Sequence, residues 1–330
     1  MRIRNKLWGV LFGCSLFAFT AYVLLDTFVI VRKYEAVTTA EPISIVAEAT
    51  DVELTAVPTE QPTEQAAEQA AATPVPAGET YLSTSNVVST DTRYADGNIS
   101  VTLTEYRISD TTVYVADVQL ASASYLKTAF AQNAYGRNVT AKVSDMADSV
   151  NAILAINGDY YGARQSGYVI REGVLYRSTA AKDAEDLVIY RDGSFAIIRE
   201  SEISAEQLLA DGAWNVLNFG PALLEDGEIA VSETDEVGRA MASNPRTAIA
   251  IVDEGHYLFV VSDGRTSESE GLSLYELATF LKTLGATTAY NLDGGGSSTM
   301  VFNGNLINNP TTSGNKTKER SVSDIVYIGY

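Results

Sequence analysis

The sequence predicts an α+β fold: one strand-rich, mixed domain with several helices packed on the sheet, preceded by a transmembrane helix and a disordered tether. Three observations indicate this organisation. Residues 1–33 contain a long apolar stretch, residues 34–80 have a composition that cannot form a core, and residues 81–330 alternate short β-rich runs with few stretches of helical spacing. We therefore divide the chain into an anchor over 1–33, a linker over 34–80 and one globular domain over 81–330.

The apolar stretch near the N-terminus runs from Leu7 to Leu25, nineteen residues without a charge, and follows Arg2, Arg4 and Lys6. As a helix with a rise of about 1.5 Å per residue it covers roughly 28 Å, close to the apolar core of a bilayer. Cleaved signal peptides have shorter apolar regions that end in small residues, so we expect an uncleaved anchor, with a signal peptide as the alternative. The basic residues predict a cytoplasmic N-terminus and an extracellular domain.

Residues 34–80 contain nine acidic residues and no Lys or Arg, with low-complexity text such as PTEQPTEQ at 58–65. A segment of this composition cannot bury enough apolar surface to offset the entropy of ordering it. We expect a tether that holds the domain away from the membrane, with a reach on the order of 40 Å as a flexible coil. A specific docking role is the alternative.

The charge and the rare residues exclude several classes of protein. The 330 residues carry a formal net charge of -19, with one histidine, His256, and one cysteine, Cys14. Zinc fingers, most catalytic zinc sites and disulfide-stapled folds need more of these residues, and the acidic excess argues against nucleic acid as a partner. Because Cys14 lies in the apolar stretch, the outer domain is free of cysteine, which fits a bacterial surface better than a eukaryotic secretory route.

The globular part has its own net charge of -14 and reads as a series of short strands. Alternating and β-branched runs predict an entry hairpin at 99–104 and 112–120, and further strands at 187–190, 195–198, 247–252, 257–261, 287–292 and 322–328. Helices are predicted at 204–210 and 273–284, each starting at a capping serine. In the second helix Ser273 and Glu276 form a capping box, and Gly285 fits the position that follows the helix.

The strongest chemical feature is the run NLDGGGSSTM at 291–300. An acid, Asp293, ends an apolar strand and is followed by three glycines and two serines: Gly294, Gly295, Gly296, Ser297 and Ser298. Consecutive glycines let backbone N–H groups approach an anion, and hydroxyls add donors, so the turn predicts a phosphate site. A tight turn without a ligand is the alternative. The spacing fits neither a P-loop, a dinucleotide motif nor an EF-hand.

Two arginines stand at the ends of predicted strands. Arg246 and Thr247 begin the strand 247–252, and Arg265 follows the strand 257–261. If both strands neighbour the one that ends at Asp293, both guanidinium groups reach the same mouth, where their planar forks match phosphate oxygens. Taken singly, each arginine fits a solvated turn better than a phosphate site.

A third cluster, NGDYY at 157–161, places an amide, an acid and aromatic rings at another strand end. Asp159 and Asp293 could form the carboxyl pair of glycosidic chemistry, with one as acid and the other as base or nucleophile. A calcium site built from these oxygens is the competing use. We therefore expect no cofactor, and keep a carboxylate-bound divalent cation such as calcium as the alternative.

Together these segments resemble the phosphodiester glycosidase family. The resemblance rests on NGDYY at 157–161, NFGP at 218–221, NPRTA at 244–248, DGR at 263–265 and NLDGGGSSTM at 291–300, and it spans roughly residues 99–330. It implies a mixed α/β domain that hydrolyses a sugar-1-phosphodiester and leaves the phosphate on the other group. It also implies that Arg320, before the last strand, joins the site.

The resemblance implies a role for each site residue. Asp293 and Asp159 are the candidates for proton transfer. The residues implied to bind the phosphate or the sugar are Asn157, Gly158, Arg246, Thr247, Arg265, Asn291, the turn from Gly294 to Ser298, and Arg320.

The functional expectation is a membrane-tethered hydrolase that faces outward. Its partners are the membrane and a glycan phosphodiester in a bacterial envelope glycan or exopolysaccharide, with no nucleic acid. Two alternatives stay open: binding of a phosphate-linked glycan without cleavage, and transfer of the sugar or sugar phosphate to an acceptor hydroxyl.

Overall fold

One long helix precedes the strand-rich part of the chain. The structure is a computed structural model, and it describes residues 2–36, 38–39, 87–235, 243–312 and 316–330. Helix α1 (Arg2–Phe28) contains an apolar span, Val10–Thr27, that is long enough to cross a membrane, and none of that span is buried within the protein. Residues 40–80 of the predicted linker lie outside the described residues.

In the described ranges the chain forms 22 strands, and every pairing among them is antiparallel. The strands are β1 (Arg32–Lys33), β2 (Thr38–Thr39), β3 (Val88–Ser89), β4 (Arg93–Ala95), β5 (Ile99–Ile108), β6 (Thr111–Leu120), β7 (Leu126–Phe130), β8 (Gly136–Arg137), β9 (Leu154–Asn157), β10 (Val169–Arg171), β11 (Val174–Arg177), β12 (Glu185–Tyr190), β13 (Phe195–Arg199), β14 (Ala213–Leu217), β15 (Ala222–Glu225), β16 (Glu228–Ile229), β17 (Thr247–Asp253), β18 (His256–Ser262), β19 (Thr288–Asn291), β20 (Met300–Phe302), β21 (Asn305–Leu306) and β22 (Asp324–Ile328).

The strands form three main sheets. The largest has nine strands in the order β16-β15-β19-β17-β18-β6-β5-β4-β3, the second has six in the order β13-β12-β14-β10-β11-β2, and the third has five in the order β21-β20-β9-β22-β7. Strands β1 and β8 form a separate pair. Because β19 lies between β15 and β17, the end of β19 and the start of β17 meet at one edge of the large sheet.

The main core lies where the three sheets face one another. It joins Phe259 and Tyr290 of the nine-stranded sheet to Ile156 and Phe302 of the five-stranded sheet and to Leu187 of the six-stranded sheet, all of them at most 1 % exposed. Burying a large apolar side chain contributes roughly 1.5–3 kcal/mol, so this shared cluster holds the sheets in register with each other. The site described below lies at the rim of this contact.

Three further helices cover the outer faces of the sheets. Helix α2 (Val143–Ser149) packs on β9, β20 and β22, helix α3 (Ala205–Ala210) packs on β11 and β14, and helix α4 (Leu274–Thr283) packs on β15, β16 and β19. In α4 the capping box of Ser273 and Glu276 is formed, and Leu274, Leu277, Ala278 and Leu281 are buried on one face. That apolar face is what the spacing of the sequence predicts.

The strand-rich prediction is confirmed, and each predicted strand and helix has a counterpart within a few residues of its expected bounds. The expectation of several helices on the sheet is right only in part. The helices that cover the sheets in the described residues are six to ten residues long, so most of each sheet surface is covered by another sheet. Short strands without alternation, such as β10 with three buried residues, were not predicted because their pattern is the same as that of a buried helix segment.

The chain directly after α1 pairs with the domain. Strand β1 lies antiparallel to β8, and the N–H of Tyr34 donates to the carbonyl of Tyr135 at 2.9 Å. Further along, β2 pairs with β11. Within the predicted linker of residues 34–80, Tyr34, Thr38 and Thr39 therefore make backbone contacts with the domain.

Candidate active site

Three strand ends from two sheets meet at Asn157. The amide Nδ2 of Asn157, at the end of β9, donates to the carbonyl of Asp293 at 2.6 Å, and its Oδ1 accepts from the hydroxyl of Thr247 at 2.8 Å and from the N–H of Thr299 at 3.2 Å. The side-chain amide of Asn157 therefore holds Asp293, Thr247 and Thr299 together. Asn157 and Thr247, implied as substrate contacts, lie here as buried positioning groups that are 0 % exposed.

Gly158 fixes the same joint on the other side. Its N–H donates to the carbonyl of Asp324 at 2.9 Å, and its carbonyl accepts from the N–H of Asp293 at 3.3 Å. A Cβ at this position would lie 2.4 Å from Oδ1 of Asp324, so only glycine permits this approach. Asn291, at the end of β19, is also buried, and its Nδ2 donates to the carbonyl of Gly220 at 2.8 Å while it lines the cavity described next.

The glycine turn makes fewer backbone donors available than the sequence predicts. A 3-10 turn runs over Gly295–Ser297, and Gly295 has a left-handed backbone with φ of 62°. Its N–H donates to the carbonyl of Pro245 at 2.8 Å, and the N–H groups of Ser297 and Ser298 donate within the turn at 3.2 Å. The expected nest of backbone donors for a phosphate is therefore largely occupied by the protein itself.

The glycines instead make room for guanidinium groups. A Cβ on Gly295 would lie 2.8 Å from Nη2 of Arg265, and a Cβ on Gly296 would lie 2.8 Å from Nη2 of Arg320. A Cβ on Gly294 would lie 2.9 Å from the carbonyl of Pro245. The run of three glycines thus lets two arginine side chains lie flat against the turn.

The three predicted arginines line one cavity of about 260 Å³ together with Asn244, Asn291 and Asp293. Arg246 is 3 % exposed and its Nε donates to the carbonyl of Leu272 at 2.8 Å. Arg265 donates to Oδ1 of Asn244 at 2.9 Å and to the carbonyl of Thr312 at 2.9 Å. The structure therefore brings Arg246, Arg265 and Arg320 to one cavity beside the end of β19.

The arginines repel each other in this cavity. Burial lowers the pKa of Arg265, and the positive charges of Arg320 and Arg246 lower it further. Like charges held close together raise the local positive potential, which the charge of a bound phosphate relieves. The cavity is thus suited to an anion although the domain carries a net negative charge.

We expect Gly296→Ala to weaken phosphate binding without unfolding the protein. The new methyl group meets Nη2 of Arg320 at 2.8 Å, Oγ1 of Thr312 at 2.5 Å and the backbone Cα of Thr312 at 2.8 Å, so both Arg320 and the backbone at Thr312 must shift, while the backbone of Gly296 does not have a positive φ. The expected result is a rise in KM of about tenfold or more, since a displaced charge-assisted contact is worth roughly 1.5–3 kcal/mol. Gly97→Ala is the matched control because a Cβ at Gly97 meets nothing within 4 Å. A normal KM for Gly296→Ala would contradict the assigned contact.

Asp293 lies between this cavity and a second one of about 360 Å³, which is also lined by Asp159, Tyr160, Ser297 and Arg320. Burial raises the pKa of Asp293 to about 6, although the hydroxyl of Ser297 and the charge of Arg320 both act to lower it. A carboxyl group with this pKa is present in both protonation states near neutral pH, as general acid and base catalysis requires.

Asp159 reaches the same cavity but has a different environment. Its Oδ1 accepts from the N–H of Tyr161 at 2.8 Å, and its Oδ2 accepts from the N–H of Asn218 at 2.8 Å and from Nη2 of Arg171 at 2.9 Å. Arg171 also pairs with Asp324 at 2.8 Å. Both carboxylate oxygens of Asp159 are thus engaged within the protein, which suits holding the loop after β9 better than carrying a proton.

We expect Arg171→Met to destabilise the fold by about 3–5 kcal/mol, because it leaves Asp159 and Asp324 as buried carboxylates without their cation. Arg171 is 3 % exposed. The control is Arg199→Met, whose ion pair with Glu185 is exposed and should contribute no more than about 1 kcal/mol. Urea denaturation at pH 7.5 measures both, and equal losses in the two variants would contradict the assigned role of Arg171.

We did not predict from the sequence that four further residues hold the site residues in place: Arg171, Asp324, Asn244 and Asn218. Arg171 and Asp324 lie in strands of two different sheets and meet only after folding, so no local pattern marks them. Asn244 had a signal, since it begins the NPRTA segment, and it accepts from Arg265. Ser298 of the predicted glycine turn is buried, and its hydroxyl has no hydrogen-bond partner among the residues that the structure describes.

A comparison with protein families matches residues 150–329 to the phosphodiester glycosidase family. The chain belongs to this family. The matched region contains every residue assigned above to the phosphodiester glycosidase site, from Asn157 to Arg320. The resemblance seen in the sequence motifs is therefore confirmed.

Two curated relatives support the assignment. The chain is 32 % identical over 185 residues to N-acetylglucosamine-1-phosphodiester alpha-N-acetylglucosaminidase of Mus musculus, which covers 52 % of this chain and 36 % of the mouse protein. It is 30 % identical over 203 residues to the SPbeta prophage-derived uncharacterized protein YomE of Bacillus subtilis, which covers 59 % of this chain and 31 % of that protein. The chain thus spans about a third of the length of these two relatives.

A solved structure shares the fold. The catalytic domain of zebrafish N-acetylglucosamine-1-phosphodiester alpha-N-acetylglucosaminidase, auto-inhibited by its pro-peptide, superposes with a TM-score of 0.56 at 22 % identity, over 70 % of this chain and 83 % of that one. The phosphodiester glycosidase fold is thus present here with antiparallel sheets and few helices.

Proposed function

We propose that the domain hydrolyses a sugar-1-phosphodiester. The observation that carries this proposal is the placement of three arginines and one acid of raised pKa on a single cavity. The arginines Arg246, Arg265 and Arg320 hold the phosphate, and Asp293 transfers the proton. Because the mouse relative is named for N-acetylglucosamine-1-phosphodiester, N-acetylglucosamine is the first sugar to test.

The proposed reaction breaks the bond between C1 of the sugar and the phosphate oxygen. Water supplies the oxygen that bonds to C1, and Asp293 donates its proton to the leaving phosphate oxygen. The remaining proton of the water passes to solvent, so a free sugar and a phosphate monoester result. Negative charge grows on the phosphate as the bond breaks, and donors that are already oriented toward it stabilise that charge.

The two carboxyl groups have different parts in this proposal. Asp293 is the proton donor because it lines both cavities and burial raises its pKa to about 6. Asp159 is a positioning residue because Tyr161, Asn218 and Arg171 occupy its oxygens. Asp159→Asn should therefore lower kcat without abolishing turnover. Because the negative charge of Asp159 helps to raise the pKa of Asp293, the fall in rate should move to lower pH in this variant. Complete loss of turnover would instead show that Asp159 itself carries a proton.

The test of the proposed function is release of reducing sugar from N-acetylglucosamine-1-phosphodiesters with simple aglycones. A binding module for phosphate-linked glycans would bind them in a saturable way and release no sugar. A transferase would release less free sugar as an acceptor alcohol is added and would form the transfer product. The raised pKa of Asp293 favours catalysis over binding alone, since a binding site gains nothing from a buried acid beside an anion.

We expect the activity to be independent of divalent cations. Three guanidinium groups line the phosphate cavity and repel a metal cation. The oxygens of Asp159 already accept hydrogen bonds from the protein. Adding EDTA should therefore leave turnover within about twofold, and calcium should not restore or raise it. Loss of activity with EDTA and recovery with calcium would establish the competing calcium site.

We also propose that the domain works outside the cell, held by α1 as an uncleaved membrane anchor. The support is the length of the apolar span and the position of its end, since Asp26 pairs with Arg137 of the domain at 3.3 Å. A bacterial envelope glycan or exopolysaccharide is the proposed setting of the substrate. Persistence of the N-terminal helix on the mature protein, measured by intact mass of the membrane fraction, tests the anchor against a cleaved signal peptide.

A further inference from the structure

The outer end of the membrane helix forms part of the wall of the active site. Thr27 is the last residue of the apolar span, and it lines the cavity that also contains Asp159, Asp293 and Arg320. A helix end marks the boundary between the apolar core and the headgroup layer, which adds only about 5–7 Å on each side of a bilayer. The catalytic cavity therefore borders the headgroup layer when α1 spans the membrane.

A short clamp holds the domain in this place. After the helix, the carbonyl of Ile30 accepts from Nδ2 of Asn138 at 3.0 Å, β1 pairs with β8, and Tyr34 donates to Tyr135. We call these contacts, together with the ion pairs of Asp26, the juxtamembrane clamp. The clamp fixes the domain within a few residues of the membrane, whatever the length of the linker that follows.

The sequence of the domain is adapted to this clamp. A Cβ at Gly136 would lie 2.0 Å from the carbonyl oxygen of Arg32, so a side chain at this position excludes β1. Such a distance is far below any real contact of a Cβ atom. The glycine thus permits backbone pairing that a surface strand without a partner does not require.

A further cavity, of about 560 Å³, continues around the end of the helix from the cavity that contains Asp293. We call it the juxtamembrane cavity. The two cavities are lined by adjacent residues of the same three segments, 26–27, 137–138 and 162–165. Four arginines and three tyrosines line the juxtamembrane cavity: Arg32, Arg137, Arg164, Arg177, Tyr34, Tyr135 and Tyr176. Nε of Arg137 and Nη2 of Arg177 are buried and have no hydrogen-bond partner among the described residues.

This lining suits an anionic headgroup. Guanidinium forks match phosphate oxygens, and tyrosine rings are preferred at the boundary between the apolar core and water. Only two acidic residues, Asp26 and Glu35, line the same cavity, and Asp26 is already paired with Arg32 and Arg137. This cationic cavity adjoins the cavity of about 360 Å³ that contains Asp293, so together the two lead from the membrane end of the helix to Asp293.

We propose that the substrate is a sugar-1-phosphodiester carried on a membrane lipid, with its scissile bond at the headgroup layer. This inference rests on the proposed function and on α1 as an anchor. The phosphate next to the sugar binds Arg246, Arg265 and Arg320 near Asp293. The part of the headgroup nearer the lipid lies in the juxtamembrane cavity. The lipid chains stay in the bilayer beside α1.

The first experiment compares two substrates with the same sugar-1-phosphate on the full chain in liposomes. One has a long dialkyl aglycone inserted in the same vesicles, and the other has a methyl aglycone in solution. Confinement to one surface raises the effective concentration, so at equal total concentration we expect the lipid-borne substrate to be cleaved about a hundredfold faster. Equal rates would overturn this inference and leave the proposed function intact, whereas no cleavage of either substrate would refute the proposed function.

The second experiment weakens the clamp. Asp26→Asn with Tyr34→Pro removes the ion pairs of Asp26 and the N–H that donates to Tyr135. We expect the ratio of turnover of the lipid-borne substrate to turnover of the soluble substrate to fall about tenfold. Lys33→Ala is the control, because its side chain is exposed and the backbone pairing remains. An equal fall on both substrates would show that the clamp only supports the fold.

The third experiment locks the clamp. In a Cys14→Ser background, Arg32→Cys with Arg137→Cys places two cysteines at directly paired strand positions, which are close enough for a disulfide. The oxidised protein should cleave the lipid-borne substrate as fast as the reduced protein does. If oxidation stops turnover and reduction restores it, the clamped segment blocks the site, and the inference is wrong.

Discussion

Asp293→Asn should lower the rate of sugar release by roughly 10²–10⁴-fold, because the variant removes the only proton donor proposed for the leaving phosphate. Binding of a non-cleavable phosphodiester should change much less, since Arg246, Arg265 and Arg320 remain in place. The measurements are kcat for sugar release and Kd for the analogue. Asp253→Asn is a control at an exposed acid at the end of β17, and it should retain full activity. Undiminished turnover by Asp293→Asn would refute the proposed mechanism.

The same residue sets the pH dependence of the wild-type enzyme. A general acid must be protonated, and the pKa of Asp293 is raised to about 6. The rate should therefore be flat below about pH 6 and fall about tenfold per unit above it.

The variant should also be more stable than the wild type. The folded-state pKa of Asp293 lies above its unfolded value of 3.8, so ionisation of Asp293 above about pH 6 disfavours the folded state. Asparagine removes this cost, and the free energy of unfolding at pH 7.5 should rise by roughly 1–3 kcal/mol. The gain should vanish below about pH 4, where the carboxyl group is protonated in both states.

Arg320→Ala should lower kcat/KM by about 10²–10³-fold, the second large effect. Arg320 is exposed at the rim, lines both cavities and donates to the hydroxyl of Ser297 at 3.4 Å, so its removal leaves the core intact. Because its charge lowers the pKa of Asp293, the alkaline fall in rate should move to higher pH in the variant. Loss of a binding group that does not touch the proton donor would leave that pH unchanged.

The matched control is Lys318→Ala, a neighbouring exposed cation. It lines neither of the two cavities beside Asp293 and should change neither kcat/KM nor the pH profile. Equal effects of the two substitutions would mean that Arg320 acts only through the general electrostatic field of the surface.

The sequence predicts the motifs of the site better than the way in which they act. Arg246, Arg265 and Asp293 could be placed at one mouth because each ends or begins a strand of clear β pattern, and antiparallel neighbours bring such ends together. The glycine run predicted a turn correctly, but its N–H groups bond within the protein. Which groups a turn leaves for a ligand depends on contacts such as that of Gly295 with Pro245, and these form only in the fold.

The supporting network could not be predicted from local pattern at all. Asp159 reads as a second catalytic acid in the sequence, and only the folded chain brings Arg171 of β10 to it. The clamp between β1 and β8 was missed for a similar reason. Two-residue strands carry no periodicity, and their partners are about a hundred positions apart in the chain.

The joint at Asn157 separates two kinds of recognition. The phosphate side of the site is built from strand ends that one buried amide holds in register, so a change there disturbs two sheets at once. The other cavity is lined largely by the loop segments 159–163 and 321–323, which lie outside the sheets apart from an isolated bridge between Ala141 and Val322. Loops of this kind accept substitutions at small cost to stability. Substitutions in these loops should therefore alter selectivity for the group that leads toward the membrane while phosphate capture stays constant.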